Sequence, residues 1–188
     1  IANGAVRGAD AGTLGERVRV VIRRAIGSPA EVPDTLSLET LADLCGDTML
    51  DYLHVREETV TDLVARCADT ARAAGVPFGF IDQTGALKGY LTGDPQGALA
   101  ADDAWRLGIA PAAVASAVDS YVVLAYARNA IRVGSDVEAY AACTGDAAAL
   151  RCVLRHGGVD YVDPAQLAAR VEAAASHGAA AVDFYHYG

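Results

Sequence analysis

Several polar and aromatic side chains stand where short apolar runs end, the position that ligand-binding groups take in sheets of parallel strands. Asp82 closes FGFID, Tyr126 closes VVLAY and Arg155 closes RCVLR. A carboxylate can act as a general acid or base, a guanidinium binds carboxylates or hydroxyls, and a tyrosine ring can stack on a sugar while its hydroxyl bonds to it. The candidate set is Asp82, Gln83, Tyr126, Arg155, Asp183, Tyr185 and Tyr187.

Asp82 is the candidate for catalysis, because it ends a strand-like run beside the long glycine-bearing stretch QTGALKGYLTGDPQG (residues 83–97). Long ordered loops are more often functional than connective, and Gln83 opens this one. The alternative is that Asp82 caps the turn by accepting from the backbone N–H of Thr84 or Gly85, as aspartate commonly does. We therefore predict either a catalytic carboxylate or a turn cap.

The other candidates also have two interpretations. Asp183 lies one step deeper than the terminal tyrosines and is predicted to be a buried carboxylate paired with Arg151 and Arg155, because an unpaired one would be costly. In that pair it would stay ionised and hold Arg155 in place. The tyrosines either bind a ligand or pack at the end of the sheet.

The chain alternates helical and strand-like patterns after a helical first part. Residues 1–75 are predicted to be mainly helical, and residues 76–188 to hold four strands with helices between them. The predicted strands are 76–82, 120–127, 149–157 and 179–188, and the helices between them include one capped by Ser135 and one capped by Asp163. Crossovers of this length indicate a parallel sheet in a single α/β domain.

Side-chain alternation favours half of a (β/α)8 barrel over a small open parallel sheet, which is the alternative. Even-numbered residues of 150–155 and 182–184 are apolar, whereas the odd-numbered ones include Arg151, Arg155 and Asp183. In a barrel the outward side chains meet helices and the inward ones near the carboxyl ends line the site. We expect all four strand ends to present their candidates on that inward face.

The limits of the chain lead to the same expectation. It opens on Ile1 and closes on a strand-like run with no helix to cover it. We therefore expect a partial chain that carries strands 5 to 8 of the barrel and pairs with a missing half barrel or with its own copy.

Composition narrows the function classes. The 188 residues carry a formal charge of -9 and a pI of about 4.7, which disfavours nucleic acid and anionic membrane as partners. Four cysteines without CxxC spacing predict reduced thiols and a cytoplasmic location. No glycine-rich phosphate loop, HExxH or acidic cluster at metal spacing occurs, so no cofactor and no metal are expected.

Several segments together are similar to a known family. They are REETVTDLVARCADTARAAGVPFGFID, GYLTGDPQG with AWRLGI, VLAYARN, LRHGGVDYVDPAQL and GAAAVDFYHYG, within residues 50–188. In these the chain resembles the C-terminal half of a family of actinobacterial TIM-barrel proteins that look like glycoside hydrolases. The resemblance implies a barrel acting on carbohydrate, with further strand-end acids ahead of Ile1.

Two classes of function follow as hypotheses. The first is a glycoside-hydrolase-like barrel protein that acts on or binds carbohydrate. Hydrolysis needs two carboxyl groups, and Arg155 stands where retaining enzymes of the largest barrel clan carry a glutamate on the seventh strand. The second is a module without acid/base chemistry, which binds a small ligand or assembles as a subunit.

Overall fold

The computed structural model describes residues 15–21, 23, 37–89, 97–156 and 163–185 of the chain. The chain divides into two compact units, Ile1–Thr59 and Val60–Gly188. In the first unit residues 15–21 are helical, and α1 spans Leu38–Cys45. Ser37 caps α1 by accepting from the Thr40 N–H at 3.1 Å. Helix α2, Asp47–Ala73, runs from the first unit into the second.

The second unit is an α/β structure with one four-stranded parallel sheet. The strands follow chain order across it, β1-β2-β3-β4, and every neighbouring pair is parallel. This confirms the predicted α/β class and parallel strands and agrees with the open-sheet alternative. The elements after α2 are β1 (Gly79–Asp82), α3 (Thr84–Gly89), a 3-10 helix (Ala101–Leu107), α4 (Pro111–Ala115), β2 (Ser120–Leu124), α5 (Ala130–Thr144), β3 (Ala149–Arg155), α6 (Pro164–Ser176) and β4 (Ala181–Tyr185).

One face of the sheet, the covered face, packs against helices. Its central side chains are Tyr121 and Val123 from β2 and Cys152 and Leu154 from β3, each 2% exposed or less. They form one hydrophobic core with side chains of α2, the 3-10 helix, α4, α5 and α6. Full burial of a valine or leucine contributes about 1.5–3 kcal/mol, so this core holds the unit together.

The other face, the open face, carries the alternate residues of the same strands. Ile81 on β1 is 54% exposed and Tyr185 on β4 is 44% exposed. Val122 and Val153 between them are half-buried. Parallel sheets are ordinarily covered on both faces. In the part of the chain that the structure describes, the hydrophobic core lies on one face only, and this is the feature of the fold that needs a functional explanation.

The sequence predicts Ser135 as the N-cap of α5, but the helix begins at Ala130, five residues before Ser135. Asn129 caps it instead, since its side-chain oxygen accepts from the Ile131 N–H at 2.8 Å. Gly134 then lies inside the helix, where glycine is normally unfavourable. A Cβ there would lie 2.9 Å from the His177 ring, so close packing of α5 on the end of α6 explains the glycine.

The stretch after β1 is not wholly a loop. Its described part, residues 83–89, contains α3, which the sequence does not predict, and residues 90–96 lie outside the described residues. By contrast α6 begins as predicted, because Asp163 accepts from the Gln166 N–H at 2.9 Å and Pro164 takes the first turn.

Candidate functional site

Asp82 ends β1 with its carboxylate fully enclosed. It is 0% exposed and accepts the Thr84 N–H at 2.8 Å, the Tyr121 hydroxyl at 2.7 Å and the Tyr140 hydroxyl at 2.9 Å. The Thr84 bond confirms the turn cap that the sequence offers as an alternative. A catalytic role for Asp82 stays a prediction, and no side of the carboxylate faces solvent.

Asp82 lies on the opposite face of the sheet from the other candidates. Its register partner is Val123, which lines the covered face. Arg155 pairs with Tyr185 on the open face. The prediction that all four strand ends present their candidates on one face is therefore wrong for Asp82. Asp82 lies on the same side of β1 as Phe80, as the alternation predicts. The register with β2 shows that this side faces the helices.

The two tyrosines that hold Asp82 remain protonated donors. Burial and the charge of Asp82 raise the pKa of both Tyr121 and Tyr140 above the ordinary tyrosine value. The rings also pack together, with centroids 5.8 Å apart. This cluster is typical of a satisfied polar network inside a core.

Arg155 and Tyr126 meet at the carboxyl ends of β3 and β2. The guanidinium carbon of Arg155 lies 4.9 Å from the centre of the Tyr126 ring, within the range of a cation–π interaction. The two residues are 6% and 5% exposed. Tyr185 extends this edge of the sheet, since it is the register partner of Arg155 on β4.

Asp183 forms an ion pair with Arg151, one of the two partners that the sequence predicts for it. The Nη2 atom of Arg151 donates to both carboxylate oxygens, at 2.8 and 2.9 Å, and Nε donates to one at 3.0 Å. The pair is not buried as predicted: the two side chains are 42% and 41% exposed. Exposed pairs contribute about 0–1 kcal/mol. The sequence predicts that Asp183 holds Arg155 in place. Both of its carboxylate oxygens bond to Arg151 instead.

Two candidates remain, Gln83 and Tyr187. Gln83 is exposed beside Asp82. Tyr187 lies outside the described residues, which end at Tyr185. The structure thus brings together Tyr126, Arg155 and Tyr185, with Asp183 two residues deeper, and separates Asp82 from them.

Arg170 is a buried residue of this edge that the sequence analysis misses. It is 0% exposed, and its guanidinium donates to the Ala127 carbonyl at 3.0 Å and to the Arg155 carbonyl at 3.2 Å. The signal was its spacing, because Leu167, Arg170 and Ala174 share one stripe of α6 at helical period. An arginine on an apolar stripe indicates a buried partner for its charge or its donors.

The arrangement suits binding better than acid/base chemistry. Among the described strand residues of the open face, Asp183 is the one carboxylate, and Arg151 occupies it. Glycoside hydrolysis needs two carboxyl groups with different protonation. Burial raises the pKa of the Cys152 thiol to about 12, so that thiol stays protonated and is a poor nucleophile.

No family model, curated protein or solved structure matches this chain. Across the described ranges, no group of three or more histidine, cysteine, aspartate and glutamate side chains is placed to hold a metal ion. None of the described helices combines the length and the apolar character needed to cross a membrane.

Proposed function

We propose that this chain supplies four adjacent strands of a (β/α)8-type barrel that binds carbohydrate at the carboxyl ends of β2, β3 and β4. The observation that carries the proposal is the Arg155 guanidinium over the Tyr126 ring, at the carboxyl ends of the strands of a sheet whose described core lies on one face. The binding groups are Tyr126, Arg155 and Tyr185.

The order of the strands supports the barrel. A doubly wound sheet reverses its strand order at a switch point and carries helices on both faces, whereas a barrel keeps chain order and places all helices outside. Here the order is β1-β2-β3-β4 and the described core lies on one face. The open face, with Ile81 54% exposed, then corresponds to the inner surface of the barrel.

The chemistry of the edge supports a carbohydrate ligand. A tyrosine ring offers an apolar plane and a hydroxyl, which match the two kinds of surface on a sugar. The guanidinium of Arg155 adds a fork of donors for sugar hydroxyls or a carboxylate. Together with the resemblance to glycoside-hydrolase-like barrels, these groups favour a sugar over an apolar ligand.

Binding without hydrolysis by this half of the barrel follows from its carboxylates. Asp82 is enclosed by three donors on the covered face, and Asp183 is engaged by Arg151. We assign Asp82 a structural role and leave acid/base chemistry to groups beyond these four strands.

A calorimetric titration tests the binding function. The protein is titrated with a panel of neutral and acidic monosaccharides and oligosaccharides, as wild type and as the variants Arg155→Lys and Arg151→Lys. We expect at least one sugar to bind and Arg155→Lys to weaken it at least tenfold, because lysine lacks the planar fork.

Arg151→Lys is the matched control, since Arg151 lies on the same strand and the same face, four residues from Arg155. It should leave the affinity within about twofold. Absence of binding across the panel, or equal losses in the two variants, contradicts the proposal.

A second function, assembly through the open face, is favoured by the exposure of Ile81 (54%) and Tyr185 (44%). Strands of the same direction, from another half barrel or a second copy, would cover this face. Sedimentation of the 188-residue chain should then show association that Ile81→Lys abolishes. The control Leu87→Lys changes an exposed residue of α3 and should have no effect. A monomer at all concentrations rejects assembly between copies.

A further inference from the structure

Arg170 stands out among the buried side chains of the described chain. It is the largest of those that are fully enclosed. It projects from α6, on the stripe that also carries Leu167 and the buried Ala174. Burying a guanidinium is unfavourable unless its donors are satisfied, so its presence calls for a role that an apolar residue could not perform.

The guanidinium joins the ends of two neighbouring strands. One nitrogen, Nη1, donates to the carbonyl of Ala127, three residues past the end of β2, at 3.0 Å. The other, Nη2, donates to the carbonyl of Arg155, the last residue of β3, at 3.2 Å. A planar fork with fixed spacing between its donors can satisfy two such acceptors at once, whereas an ammonium group cannot hold the same geometry.

The two carbonyls belong to the backbone that carries the proposed binding groups. Ala127 follows Tyr126 directly, and the second carbonyl is that of Arg155 itself. The bonds from Arg170 therefore bridge the two backbone segments that carry the Arg155 guanidinium and the Tyr126 ring, which are 4.9 Å apart. Small displacements of a binding constellation can cost large factors in affinity or rate.

We propose that Arg170 is a positioning residue, which locks the ends of β2 and β3 so that the Arg155 guanidinium stays on the Tyr126 ring in the geometry that binds ligand. This inference rests on the proposed function for its effect on affinity. Its structural part, the control of the Arg155–Tyr126 contact, holds in the ligand-free protein and is measurable there.

Arg132 provides a matched control. It lies on α5 and donates to two backbone carbonyls, those of Gly97 at 3.1 Å and Ala98 at 2.7 Å. It also pairs with Asp136. Arg132→Lys thus removes a pair of hydrogen bonds to two backbone carbonyls, as Arg170→Lys does. The carbonyls that Arg132 bonds do not lie next to Tyr126 or belong to Arg155.

The experiment compares Arg170→Lys, Arg132→Lys and wild type by two readouts. The first is the ring-current shift that Tyr126 imposes on the side-chain protons of Arg155, measured by NMR without ligand. The second is the affinity for the sugar that the wild type binds. We expect Arg170→Lys to lose most of the shift and about tenfold in affinity, and Arg132→Lys to keep both.

Each contrary result has a definite meaning. An unchanged ring-current shift in Arg170→Lys, or equal effects of the two lysine variants, overturns the positioning role. If no sugar binds the wild type, the proposed function fails, and the shift still decides the role of Arg170. Should Arg170→Lys not fold, Arg170→Gln keeps one amide donor for one carbonyl and is expected to retain part of the shift.

Discussion

The two faces of the sheet are built from alternate residues of the same strands, and they treat their polar groups in opposite ways. On the covered face Asp82 is 0% exposed and accepts from three donors at 2.7–2.9 Å. On the open face Asp183 has a side chain 41% exposed and bonds to Arg151. The Asp82 carboxylate on the covered face is committed to the fold, whereas the Arg151–Asp183 pair on the open face remains partly exposed to solvent.

The difference indicates where function resides. A buried carboxylate held by neutral donors stabilises a core, while a ring and a guanidinium at strand ends can recognise a ligand. The first two of the following predictions set a residue of one face against a residue of the other, and the remaining two each test one face.

The largest effect is expected at Asp82. Asp82→Ala leaves two buried hydroxyls and the Thr84 N–H without their acceptor, which should lower the free energy of unfolding by about 3–5 kcal/mol. Urea denaturation measures it. The comparison variant, Asp183→Ala on the open face, should cost no more than about 1 kcal/mol. Similar losses of unfolding free energy in Asp82→Ala and Asp183→Ala would contradict the difference between the two faces.

Two leucines allow the same comparison with apolar side chains. Leu154 on the covered face is 0% exposed, and Leu154→Ala should cost about 2–5 kcal/mol through the lost contacts and the cavity. Leu124 on the open face is half-buried, and Leu124→Ala should cost about 1 kcal/mol. An equal cost at Leu124 would mean that the open face is packed in solution.

Alkaline pH should weaken the covered face. Burial and the charge of Asp82 raise the pKa of Tyr121 and Tyr140 in the folded protein, so the unfolded chain loses these protons first. Their contribution is complete below the ordinary value of about 10 and falls as the pH rises above it, by about 1.4 kcal/mol per pH unit for each tyrosine.

The double variant Tyr121→Phe, Tyr140→Phe serves as the control for that pH dependence. Its stability between pH 10 and 11 should decline less steeply than that of the wild type by about 2–3 kcal/mol per pH unit. Parallel pH profiles for the two proteins would show that these hydroxyls are not held by Asp82.

The smallest effect concerns the ion pair of the open face. A double-mutant cycle on Arg151→Ala and Asp183→Ala should give a coupling of about 0.2–1 kcal/mol at low salt, decreasing as salt is added. A coupling of several kcal/mol would contradict the exposure of this pair, whose side chains are 42% and 41% exposed.

The sequence predicts the elements of the second unit better than their faces. The strand predicted over residues 149–157 is found as Ala149–Arg155, and the predicted cap of α6 at Asp163 is confirmed. The predicted start of α5 is wrong because Asn129 caps the helix in place of Ser135, and close packing on His177 explains the presence of Gly134 in the helix interior. Local signals therefore fail where tertiary packing decides.

The face of Asp82 and the role of Arg170 depend on register, which is not a local property. Parity within β1 places Asp82 with Phe80, but only pairing with β2 shows that this side meets helices. Arg170 bonds to carbonyls 43 and 15 residues away. Such contacts are created by the fold as a whole, so sequence spacing alone could not reveal them.

The most direct test of the proposed sugar-binding site is a crystal structure of the protein with a bound sugar. We expect a sugar ring on the Tyr126 side of the sheet, with its hydroxyl or carboxylate oxygens within hydrogen-bond distance of Arg155. A sugar bound beside Asp82 on the covered face, or helices packed against Ile81 and Val153 on the open face, would contradict it.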